Sequence, residues 1–117
     1  KDDESLVFGA SVGKNPEQAD IFFTKHQQRV EKLGYKVRII FNDDMRDRKD
    51  RYKYYANHKK HKIRFLYSHT FTELYIYKNS VLFLMLLKKP IAINVKNSDV
   101  VDSFRQFFET MWKDAKP

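Results

Sequence analysis

The chain has 117 residues, 42% hydrophobic and 15% aromatic, and no cysteine. That allows one domain with a modest core and excludes disulfides, thiol nucleophiles and thiolate metal sites. Lysine and arginine outnumber the acids by 23 to 15, a net charge of +8. The longest apolar run, Val81–Leu87, falls far short of the roughly 20 residues a membrane helix needs.

Ser5–Ala10 reads as a first strand, and Gly9 to Gly13 as a small-residue turn. Asn15-Pro16-Glu17-Gln18 is a helix start: Asn15 can cap, Pro16 suits the first helical position, and Gln18 can reach back to the cap. Ala19, Phe22, Phe23, His26, Val30 and Leu33 then share one helical face. Gly34 ends the helix as a left-handed residue would. Lys36–Asn42 alternates Val37, Ile39 and Phe41 with Arg38 and Asn42, the period of a strand. Strand, helix and strand in this order make a βαβ unit with parallel strands.

Residues 43–60 lack glycine and proline and carry only a thin apolar stripe of Met45, Tyr52, Tyr55 and Ala56. A loosely attached helix or partly ordered loop is expected there. Lys62–Leu66 is a short strand. Glu73–Tyr77 and Val81–Leu87 are strands joined through Lys78-Asn79-Ser80 as a hairpin. Val81–Leu87 is apolar at every position, which predicts cover on both faces and a central place in the sheet. Lys88-Lys89-Pro90 turns the chain into Ile91–Lys96. Asn97-Ser98-Asp99 caps a last helix whose stripe is Val101, Phe104, Phe108, Met111, Trp112 and Ala115. The fold class is α/β: a single-layer mixed sheet with flanking helices, in the order β-α-β-(α)-β-β-β-β-α.

The sequence shows no catalytic set. There is no G-x-S-x-G, H-E-x-x-H or P-loop. His58 and His61 have helical metal-ligand spacing, but their surroundings are cationic and oppose a metal, so neither metal nor cofactor is expected. His26, with Arg29 one turn on, is either a hydrogen-bonded core-edge residue or a ligand contact. His69, in Ser68-His69-Thr70, is expected to be exposed. Gly9-Ala10-Ser11-Val12-Gly13, followed by Lys14, is either a tight turn or a set of amides that meets an anionic or hydroxyl-rich molecule. Tyr75 and Tyr77 should lie opposite Leu74 and Ile76, packed under a helix or lining a pocket or dimer seam. Glu73 reads as a strand-end charge. Between Arg46 and Arg64 the chain is strongly basic, and Arg46, Arg48, Lys49, Arg51, Lys53, Lys59 and Lys60 form either a solvated face or a stripe that meets phosphates.

FFTKHQQRVEKLGYKVRIIFND and TELYIYKNSVLFLML…KPIAINVKNSDVVDSFRQFFETMWKDAK resemble the C-terminal part of archaeal TrmB-like transcriptional regulators. The likeness runs from Val7 to Lys116, with Phe104, Arg105, Phe108, Glu109 and Trp112 as anchors. It implies a phospholipase-D-like half used for effector sensing and dimerisation. It also implies a DNA-reading winged helix-turn-helix upstream, in keeping with a chain that begins without Met. Catalytic members of that fold carry His-x-Lys-x4-Asp. Here Phe65 follows His58-Lys59-Lys60 where Asp is required, and His26-Gln27-Gln28 lacks the Lys, so a non-catalytic domain is expected.

Residues 1–117 are thus expected to form one regulatory domain: cytoplasmic, homodimeric, away from the membrane, with a small-molecule effector and DNA contacted through the upstream domain. The candidate pocket lies where α/β sheets bind ligands, at the C-terminal ends of the parallel strands. That places Ser11, Lys14 and Asn42 at it, with His26 and Arg29 beside them. The alternatives are a nucleic-acid module built on residues 46–64 and a ligand-free dimerisation scaffold.

Overall fold

The computed structural model describes residues 4–10, 16–66, 72–85 and 87–117. Strands β1 (Glu4–Ala10), β2 (Lys36–Asn42), β3 (His61–Leu66), β4 (Thr72–Tyr77), β5 (Ser80–Met85) and β6 (Ile91–Lys96) form one sheet in the order β3-β2-β1-β4-β5-β6. Helix α1 (Pro16–Leu33) joins β1 to β2. A 3-10 turn (Asp43–Met45) and α2 (Lys49–Ala56) join β2 to β3, and α3 (Ser98–Asp114) follows β6. The β1–β2 and β2–β3 pairs are parallel, whereas β1–β4, β4–β5 and β5–β6 are antiparallel. The α/β mixed sheet and the element order are those the sequence predicts.

Strand alternation splits the core into two layers. Val7, Val37, Ile39 and Phe41 face Phe23 and Val30 of α1 and Tyr55 of α2. Leu6, Ile40, Leu74, Ile76 and Val81 face Val101 and Phe108 of α3. Tyr75 and Tyr77 join the α1 layer, opposite Leu74 and Ile76, as their alternation requires.

Local chemistry sets the ends of the elements. Gly34 has φ +68 and donates its N–H to the Val30 carbonyl at 2.8 Å, which closes α1. The Asn97 side chain accepts from the Val100 N–H at 3.1 Å, which opens α3. Gly9 has φ +78 at a register shift in β1, and a Cβ there would run into the Thr72 carbonyl oxygen. The Gly9–Gly13 turn therefore begins as a strand bulge; positions 11–15, and the Asn15 cap with them, lie outside the described residues.

Four expectations need correction. The 43–60 stretch is anchored, because Met45 and Tyr55 are both fully buried, although Ala56 is exposed. One large ring in the core outweighs a thin stripe: a buried aromatic contributes about 2–3 kcal/mol. Strand β5 is not central. It lies next to the edge strand β6, and Leu82, Phe83 and Met85 are only half-buried, because the α1–α2 layer sits over β1–β3. Leu33, in the last turn of α1, is 54% exposed and so does not share the buried face. Glu73 is buried at 4% exposure and accepts a hydrogen bond from the Tyr75 hydroxyl at 2.7 Å, so it is no solvated strand-end charge.

On the α3 face, Arg38 donates to Glu4 and to Glu109 while its guanidinium lies over Phe108 and Trp112. This pairing holds the Glu109 carboxyl below the usual carboxylate range. The chain end returns to the outer side of β3: Phe65 and Lys116 exchange backbone hydrogen bonds of 2.6 and 2.8 Å.

Candidate functional site

Strands β5 and β6 follow β4 by antiparallel pairing of consecutive strands, so no crossover helix comes with them to cover the α1 face. Strand β6 is exposed along most of its length. The uncovered strip and the flank of α1 enclose a cleft of about 580 Å³, within the usual size range of ligand pockets. Helix α1 contributes Phe22, Lys25, His26 and Arg29. The sheet contributes Tyr75, Tyr77, Leu82, Leu84, Asn94 and Lys96, and Lys78 and Asn79 stand at its mouth. Among the described residues the lining thus holds two amides and four cations, Lys25, Arg29, Lys78 and Lys96, and no carboxylate.

His26 sits at the back of this cleft. Its Nδ1 lies 3.0 Å from the Tyr55 hydroxyl, and its ring meets Tyr75 edge-on with centroids 5.0 Å apart. Its Nε2 is buried with no hydrogen-bond partner among the described residues. Burial, with the neighbouring His61 and Arg29, lowers its pKa to about 4, so the ring is neutral at pH 7. Tyr35 stacks on Tyr77 at 4.6 Å, and burial raises its phenol above the ordinary value. The cleft therefore offers fixed positive charge at its rim and neutral aromatic and hydroxyl groups inside. It can bind a small, partly anionic or hydroxyl-rich molecule.

Of the five residues the sequence proposed for a ligand, the structure brings His26 and Arg29 together in the cleft. Asn42 is buried at the far end of β2 and does not line it. Ser11 and Lys14 lie outside the described residues, as does His69. The cleft opens by Ser5 and Tyr35, at the N-terminal ends of β1 and β2 rather than the C-terminal ends. Lys25, Lys78, Asn94 and Lys96 were missed because they are far apart in sequence and each reads singly as a surface residue.

The basic segment does not form one face. Arg46 pairs with Asp43 at 3.2 Å, and Arg48 pairs with Asp20 at 3.4 Å and Asp50 at 3.0 Å. Lys49 and Lys53 are exposed on α2, whereas Lys59 and Lys60 sit in the α2–β3 connection. The side chain of Arg51 lies outside the description. His58 and His61 stack at 4.2 Å across that connection, and burial and His58 lower the pKa of His61 to about 4. Among the described residues no group of three or more His, Cys, Asp or Glu is placed to hold a metal. No described helix is long and apolar enough to cross a membrane.

The sheet order and the antiparallel hairpins after the βαβ unit define an α/β fold built on one mixed six-stranded sheet. The chain superposes on TrmBL2, an archaeal chromatin protein that shows a novel mode of DNA binding, with TM-score 0.63 and 22% identity. That match covers 97% of this chain and 44% of TrmBL2, so the chain spans less than half of that protein. It also superposes on NucT from Helicobacter pylori with TM-score 0.67 and 10% identity, over 97% of this chain and 80% of NucT. At these identities the likeness is one of fold. No family model matches the chain, and no curated protein does.

Proposed function

We propose that this chain is a non-catalytic regulatory domain that binds a small effector, dimerises, and serves a protein whose sequence-reading DNA contacts lie in another domain. The observation that carries this reading is the cleft: a concave, cationic and aromatic site with a neutral histidine behind it and no carboxylate among the described residues of its lining. The fold likeness to TrmBL2, a DNA-binding chromatin protein, supports the setting. The departures from His-x-Lys-x4-Asp support the absence of catalysis, as does the burial of His26 against Tyr55. An effector that binds one dimer arrangement better than another shifts the balance between them and so the spacing of the attached DNA-reading domains. The exposed side chains of Ile91 and Ile93 on edge strand β6, with Phe107 on α3, are the apolar groups available to a second copy.

A thermal-shift panel of sugars, sugar phosphates, nucleotides and amino acids tests this reading. A ligand at 100 times its Kd adds about 2.7 kcal/mol, or roughly 10 °C for a domain of this size. One chemical class should give the shift, and Leu82→Trp, which fills the cleft, should abolish it. If no class shifts the protein, a ligand-free dimerisation scaffold is the better account. Sedimentation should show a dimer that Ile93→Lys weakens; a monomer at high concentration would remove the dimer from the proposal.

A further inference from the structure

The strand ends gather cations that the sequence scatters. In the sheet register His61 stands beside Val37, Lys36 beside Glu4, Ser5 beside Tyr77, and Ser80 beside Lys96. The starts of β1, β2, β3 and β5 and the ends of β4 and β6 therefore share one end of the sheet. Two further contacts tie the connections there together: Lys60 Nζ donates to the Gly34 carbonyl at 3.1 Å, and the Asn97 N–H donates to the Asn79 carbonyl at 3.2 Å. Lys59, Lys60, Lys36, Arg29, Lys78 and Lys96 are all exposed at this end. Glu4, in the middle of the row, is engaged by Arg38, which donates to both of its carboxylate oxygens. Among the described residues, the exposed carboxylates near the adjoining helix ends are Glu31, Asp99 and, one turn into α3, Asp102.

We propose that this end of the sheet is a rim that binds the phosphate backbone of double-stranded nucleic acid, independent of base sequence. Six strands span five steps of about 4.8 Å, so the rim is roughly 24 Å long. Along the axis of a duplex each strand carries a phosphate about every 3.4 Å, so a rim of that length spans about seven base pairs and meets the phosphates on the facing side. The rim offers lysines and an arginine at intervals along its whole length, which suits a line of phosphates. Its tyrosines, Tyr35 and Tyr77, are stacked on each other instead of presented to solvent, so it lacks the aromatic platform on which single-stranded bases stack. The surface is separate from the 46–64 segment: it takes only Lys59 and Lys60 from that stretch and leaves out the ion-paired Arg46 and Arg48.

Fluorescence anisotropy with a mixed-sequence 20-base-pair duplex, titrated from 50 to 200 mM salt, tests the rim. The 117-residue chain is compared with Lys36→Gln/Lys59→Gln and with Arg46→Gln/Arg48→Gln, a control of equal charge change. Circular dichroism and thermal melts verify that both variants fold. The rim variant should bind at least roughly tenfold more weakly and lose about 1.8 from the slope of log affinity against log salt, 0.9 for each phosphate contact. The control should stay within about threefold of the parent. Equal losses in both variants would show a diffuse effect of net charge and overturn the rim. So would tighter binding of single strands than of duplex, or the absence of binding at 50 mM salt. Lys36 and Lys59 do not line the cleft, so effector shifts that persist in the rim variant separate failure of this proposal from failure of the effector reading.

Discussion

The two faces of the sheet are built differently. The α3 face is closed: Phe108 is fully buried, stacks on Trp112 at 5.7 Å and meets Phe8 at 6.2 Å. Its charged group there, Arg38, is locked between two carboxylates and two aromatic rings. The α1 face is closed mainly over β1–β3. Beyond them it leaves a cleft backed by His26, Tyr55 and Tyr75, and puts a buried glutamate under Tyr75. Apolar packing with satisfied charges makes a clamp. Buried polar groups beside an opening cost stability and are the place to look for function.

The strongest way to break this contrast is to cut each face with the same kind of substitution. Phe108→Ala should cost about 3–5 kcal/mol, a fall of roughly 12–20 °C in Tm. Phe22→Ala, at the half-buried cleft wall, should cost less than half of that. Equal losses would show that the α1 face is packed as tightly as the α3 face.

Acid should act on the α1 face first. His26 is neutral in the fold, with its pKa lowered from 6.5 to about 4, and protonates more readily once unfolded. The unfolded chain therefore binds more protons between those values, and stability falls as pH drops from about 6.5 to about 4. The loss is at most about 3 kcal/mol for this residue, and His61 acts in the same direction. Melts of the parent and His26→Gln across that range should show a shallower decline in the variant. If the two curves are parallel, His26 is not the residue that senses acid.

Two smaller effects sharpen the picture. Asn97→Ala removes the side chain that accepts from the Val100 N–H and should cost about 1 kcal/mol, read as a denaturant midpoint shift with unchanged slope. Arg48→Ala, whose partners Asp20 and Asp50 are well exposed, should change stability by less than about 0.5 kcal/mol. A larger loss would mean that α2 is held to α1 by charge rather than by Tyr55.

Legibility in the sequence followed the range of the interaction. The α3 stripe, the Asn97 cap, the Gly34 stop and the alternation in β2 depend on neighbours within a turn or two, and all four were readable. Tyr55 was not, because a single buried ring leaves no periodic trace in a polar helix. Strand β5 misled for the opposite reason: a continuous apolar run looks central, but whether a helix covers it depends on where the crossover runs. His26 and Arg29 could be singled out because a histidine on an apolar face and an arginine one turn later are visible locally. Their partners Lys78, Asn94 and Lys96 could not be, because strand pairing brings them together.

The sequence by itself determined the α/β class, the element order, the parallel first pair and the absence of thiol chemistry, because periodicity, capping and composition act over short stretches. Only the tertiary structure decided where the cleft opens, how the basic segment divides between ion pairs and the sheet end, and which cations line up there. Those outcomes depend on register and on the paths of the crossovers, which join residues tens of positions apart.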